Sequence, residues 1–149
     1  MGIWCEISAQ PSRGDGSSIT AFTINLYKDF YGLERIISGL ERPAADNIFS
    51  IAIYGEEFAL ALAPGETMAY GEWADYWFAV ACSSRERVRE IAAALAAVNF
   101  FVRFRRFCER TGRPDLWNYF SYYEKLFLEL RDFYRRAAAN HCSVECSFG

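Results

Sequence analysis

From Ser83 to Asn140 the chain repeats apolar residues three or four apart, and it breaks this period only around Gly112 and Pro114. Val88, Ile91, Leu95, Val98 and Phe101/Val102 form one stripe. Leu116, Phe120, Tyr123, Phe127, Leu130 and Tyr134 form the next. A stripe of this period is one face of an α-helix. Ser83 and Glu86 stand at capping-box spacing before the first helix. Gly112 ends it, and Pro114 suits the first turn of the second. Two long helices joined by so short a turn lie antiparallel, as a hairpin. The rest of the chain then has a long apolar surface to cover.

The first half is written in a different period. GIWCEIS alternates, with Ile3, Cys5 and Ile7 on one face, and ITAFTINLY alternates with Phe22, Ile24 and Leu26. Both read as strands, joined by the polar loop QPSRGDGSS. Lys28 to Arg42 returns to helical spacing through Phe30, Leu33, Ile36, Ile37 and Leu40, and Pro43 stops it. Gly32 and Gly39 cost that helix stability, which a close approach to the sheet would justify. Three further strands are expected at Ile48 to Tyr54, Phe58 to Leu62 and Tyr76 to Cys82. Turns at Gly55-Glu56 and Pro64-Gly65 connect the first two onward.

The order β-β-α-β-β-β-α-α predicts an α+β fold. An antiparallel or mixed sheet of about five strands is covered by one short helix and the C-terminal hairpin. At 149 residues, with no repeat and no linker, the chain reads as one domain over 1–149. It divides into a sheet-rich half (1–84), the helical hairpin (85–140) and a tail (141–149). The N-terminus lacks the basic start of a signal peptide. The uncharged run Ile91 to Val102 falls well short of the ~20 residues needed to cross a bilayer. A soluble, cytoplasmic protein with five reduced cysteines is the expectation. Its alanine- and arginine-rich composition suggests a bacterial or phage source.

Little in the sequence offers catalysis. Its one histidine, His141, sits in HCSVEC beside Cys142 and near Cys146. A structural zinc site wants four ligands in close pairs, and no second Cys-x-x-Cys is present. The segment reads as a mobile tail without metal. There is no phosphate-binding glycine loop and no nucleophile motif. The sequence therefore implies no catalytic residue, no metal and no cofactor.

Charge is the remaining clue. Between Arg42 and Arg85 there is no lysine or arginine, while Asp46, Glu56, Glu57, Glu66, Glu72 and Asp75 carry six negative charges. Trp73 and Tyr76 lie among them. Acids placed at strand ends can share one rim, and aromatics between carboxylates suit contact with arginine and lysine. This pattern suggests a non-catalytic inhibitor of immunity or phage counter-defence type. It would block a basic, nucleic-acid-handling partner protein through that rim. Two alternatives exist. The acids could serve a small metal-dependent hydrolase or nuclease. The arginine-rich helix, with Arg103, Arg106 and Arg110 near one stripe, could grip nucleic acid. The surplus aromatics of the last helix would suit a homodimer contact.

Overall fold

The computed structural model describes residues 4–11, 21–44, 46–56 and 80–149. Alternation does what the sequence suggests in the first two strands. β1 (Cys5–Gln10) turns Cys5, Ile7 and Ala9 into the core and leaves Glu6 exposed. β2 (Phe22–Tyr27) pairs antiparallel with it, Ile7 opposite Ile24. α1 (Phe30–Ser38) follows with Phe30, Leu33, Ile36 and Ile37 buried.

The two glycines of this segment have separate reasons. A Cβ on Gly32 would stand 2.6 Å from the Tyr123 hydroxyl, so the close approach is to a helix and not to the sheet. Gly39 adopts φ 75° and caps α1 through its N–H to the Arg35 carbonyl.

Residues Ile48–Tyr54 correct the strand expectation. They form helix α2, capped by Asn47, whose side chain accepts from the N–H groups of Phe49 and Ser50. Phe49 to Tyr54 are all buried. A short helix enclosed on every side shows no period, which is why it resembles a buried strand. The Gly55-Glu56 turn is this helix's end, with the Gly55 N–H donating to Ile51. The expected strand Phe58 to Leu62 and the Pro64-Gly65 turn lie outside the described residues. Of Tyr76 to Cys82 the described part is β3 (Val80–Ser83).

The expected hairpin is present with two refinements. Its first arm is broken into α3 (Arg85–Ala96) and α4 (Phe100–Thr111), because Asn99 starts a new helix by accepting from Val102 N–H. Ser84, not Ser83, caps α3. A 3₁₀ turn (Pro114–Tyr119) then leads into α5 (Phe120–Ala139).

The C-terminus holds the largest correction. Residues Ser143–Phe148 are not a tail but strand β4. Among the described residues the sheet has four strands in the order β2-β1-β4-β3, all pairs antiparallel. The last strand therefore stands in the middle. SVECSF alternates as a half-buried strand should, with Val144, Cys146 and Phe148 in the core. His141 takes φ 54° in the turn between α5 and β4. Trp4 and Gly149 exchange two backbone hydrogen bonds, at 2.7 and 3.1 Å, so the described ends meet.

The helices cover one face of this sheet. α2 ends inside that layer, where the carbonyls of its last turn have no helical partner. The Tyr134 hydroxyl donates to the Ala52 carbonyl. The thiols of Cys146 and Cys5 lie 3.9 Å from the carbonyls of Ala52 and Ile53. A strand, a strand and a helix thus converge on one buried helix end.

Two outcomes are expected. A chain ending at Asn140 loses its cooperative thermal transition in circular dichroism, because both β1 and β3 lose their neighbour. Tyr134→Phe lowers unfolding free energy by about 1–3 kcal/mol in urea titration, since it leaves the buried Ala52 carbonyl with only the weak Cys146 thiol as donor.

Candidate functional site

The acidic stretch is rooted where α2 meets β3. Gly55, at φ 92°, packs so tightly on Ala81 that a Cβ there would fall 2.8 Å from the Ala81 side chain and 2.9 Å from its carbonyl oxygen. Glu56 then makes three bonds to the other side of the junction. Its N–H donates to the Ser83 hydroxyl at 2.9 Å. Its carboxylate accepts from Ser84 N–H at 3.2 Å and from Arg87 Nε at 2.7 Å. Arg87 also reaches Glu90 at 2.7 Å. Partial burial pushes the Glu56 carboxyl up, but the Arg87 bond and the Ser84 contacts outweigh it and hold it below the usual range. The same carboxylate raises the Arg87 guanidinium.

Glu56 is therefore spent on the fold. Its compensating cation comes from just beyond the base-free window. Asp46 is exposed ahead of the α2 cap. Glu57, Glu66, Glu72, Trp73, Asp75 and Tyr76 lie outside the described residues. Glu56 thus ties the end of α2 to Ser83 and Ser84 at the end of β3.

The basic helix divides similarly. The Arg110 guanidinium pairs with Glu41 at 3.3 Å, donates to the Arg35 carbonyl at 3.2 Å and lies over the Phe107 ring. Arg103 lies over Phe49, 5.5 Å from the ring centroid. Arg106 is exposed. Two of the three thus tie α4 to α1 and α2, which is a structural use of their charge.

The cysteines are buried or partly buried, and all five are free thiols. Burial pushes the Cys5 thiol well up and the Cys146 thiol to about 12, so both stay protonated at neutral pH. A protonated thiol is neither a good nucleophile nor a metal ligand. Among the described residues no three histidine, cysteine or acidic side chains gather as a metal site.

One feature escapes the sequence reading. A groove of about 370 Å³ runs between β2 and α5, lined by Asn25, Tyr27, Tyr122, Lys125 and Glu129 among others. It adjoins a second of about 290 Å³, where Arg136 lies 3.9 Å over the Phe22 ring. Tyr27 is exposed at φ 52° and meets Trp4 edge-on, 5.5 Å between centroids. Tyr122 donates to Asp29, which pushes its phenol to about 12. Nothing in the spacing of ITAFTINLY announces this groove, because it arises only when α5 crosses the strand.

No protein-family model matches the chain, and the comparison with curated proteins gives no match. Its backbone does have a solved counterpart, the crystal structure of YfbM from Escherichia coli, described as a protein of unknown function. The TM-score is 0.64, over 96% of this chain and 97% of that one, at 11% sequence identity. The two share a fold. At that identity the likeness says nothing of activity, so any functional reading rests on this chain's own residues.

The Glu56–Arg87 link has a direct test. Glu56→Ala and Arg87→Ala should each lower stability by about 1 kcal/mol, and the double variant should lose less than their sum. The coupling should vanish in acid, once Glu56 takes up its proton. Additive losses at neutral pH would show the pair to be idle.

Proposed function

We propose that this chain is a non-catalytic binding protein of inhibitor type, acting in the cytoplasm, whose acidic stretch engages a basic surface on a partner protein. The observation that carries the proposal is the junction at Glu56. It ties Glu56 to the end of β3, and the sequence between the two contains Glu57, Glu66, Glu72 and Asp75 and no lysine or arginine. These four acids have no cation within their own stretch of sequence to offset them. Such charge speeds encounter with a basic surface and selects against acidic ones. Six aromatic residues share the stretch, among them Trp73 and Tyr76. Aromatics supply desolvated contact area that charges alone do not.

The mechanism is occlusion. The acidic stretch covers a surface that the partner uses for nucleic acid, and no bond is made or broken. Glu56 does not take part, because Arg87 neutralises it within the fold. In support, burial holds the thiols of Cys5 and Cys146 protonated in the core.

The experiment is a tagged pull-down from a lysate of the native host with two proteins, the wild type and a Glu57→Lys, Glu72→Lys, Asp75→Lys variant. The expected result is one dominant basic protein on the wild type, released as salt rises, and its loss from a variant with an unchanged melting temperature. Equal capture by both proteins would exclude the acidic stretch as the binding surface. Recovery of nucleic acid would move the function to the arginine helix.

A further inference from the structure

Glu34 is fully buried on α1, at the contact with α2. Its Oε1 accepts from the Ser50 hydroxyl at 2.8 Å, and that hydroxyl oxygen in turn accepts from Ala44 N–H at 3.2 Å. Its other oxygen, Oε2, has no hydrogen-bond partner. The Ser50 hydroxyl, with the Ser38 hydroxyl nearby, is enough for a neutral carboxylic acid. It is far too little for a carboxylate, which needs several donors or a cation when water is excluded.

The charged and titratable groups around it do not supply the deficit. On α1, Arg35 is held by Glu41 at 2.8 Å, and the Tyr31 hydroxyl donates to the Glu41 carbonyl. From α4, Arg110 is held by the same Glu41 and by the Arg35 carbonyl. From α2 the facing group is Ser50. From α5 the side chain against α1 is Tyr123, packed on Gly32. Both guanidiniums are drawn toward Glu41, the Arg35 Nε is left buried without a partner, and neither cation donates to Glu34 Oε2.

We propose that Glu34 is a proton-operated latch between α1 and α2, closed when its carboxyl is protonated and loosened when the proton leaves. The inference rests on the contact between α1 and α2 and does not depend on the binding mechanism above. Ionisation places an unanswered charge between the helices. The release is a shift of α2, which lets water reach Oε2. α2 ends at the Gly55–Glu56 junction, so the latch controls how firmly that junction is held.

Burial pushes the Glu34 carboxyl up to about 7, against the opposing pull of the Ser50 and Ser38 hydroxyls and of Arg35 and Arg110. The unfolded carboxyl ionises near 4.5. Between these values the folded protein holds the extra proton, so stability falls as pH rises through this window and levels off above it. The transition lies near neutral pH, where an ordinary glutamate would be insensitive.

The test is hydrogen exchange of the α2 amides Ile51 and Gly55, corrected for intrinsic rates, between pH 5 and pH 8. Protection should drop roughly tenfold or more in the wild type, since each unit of displaced ionisation is worth a factor of ten. It should stay flat in Glu34→Gln, where the amide keeps the shape without the charge, while α5 amides stay protected in both. Flat protection in the wild type, or the same drop in both proteins, would overturn the latch. A direct reading needs no variant. The Glu34 carboxyl carbon followed by NMR should titrate near neutral pH, and titration at the ordinary glutamate value would equally overturn it.

Discussion

The fold depends on one insertion, the placement of β4 between β1 and β3. Every other layer refers to it. Cys146 and Phe148 form the floor on which α2 and Phe30 sit. Glu145 joins Gln10 and Cys82 across the opposite face. α5 is fixed because the chain must turn at His141 and come back through the sheet. β1 and β3 are joined in the sheet only through β4. Pairing of residues so distant in sequence carries a large closure entropy, which the buried alternation of Val144, Cys146 and Phe148 offsets.

From this follows the placement of charge. With the sheet closed, α2 is enclosed by β4, α1 and α3, and only its two ends reach the outside. One end carries Asp46 and the Asn47 cap. The other carries Gly55 and Glu56, locked to Ser83, Ser84 and Arg87. The basic helix α4 is occupied differently, since Arg110 bridges α4 to Glu41 and Arg103 covers Phe49. The two opposed charge regions of the sequence so have unequal fates. Arg87, Arg103 and Arg110 are built into the fold, and of the described acids in the base-free window Glu56 is the one that pairs with a cation there.

Much of the fold was legible because it rests on period. The α+β class, β1, β2, α1 and the hairpin follow from alternation in CEIS and FTINLY and from the long 3–4 stripes. Two elements were misread for physical reasons. IFSIAIY is apolar on all sides because it is buried on all sides, so neither period stands out, and only the Asn47 cap distinguishes helix from strand. SVECSF does alternate, but its position at the chain end and its histidine-cysteine neighbours drew attention to metal chemistry. Of the candidate site, the charge imbalance was visible and the Arg87 compensation was not. That pairing joins residues far apart in sequence through a junction that only the fold creates. The groove beside β2 has the same origin.

The central claim is that the chain acts by electrostatic engagement of a basic partner. Its most direct test is the association rate with the captured partner, measured by stopped flow over a range of ionic strength. The account predicts a rate that falls steeply as salt rises, while the dissociation rate changes little, as charge steering requires. An association rate indifferent to salt would contradict it, and would shift attention to the aromatic groove between β2 and α5.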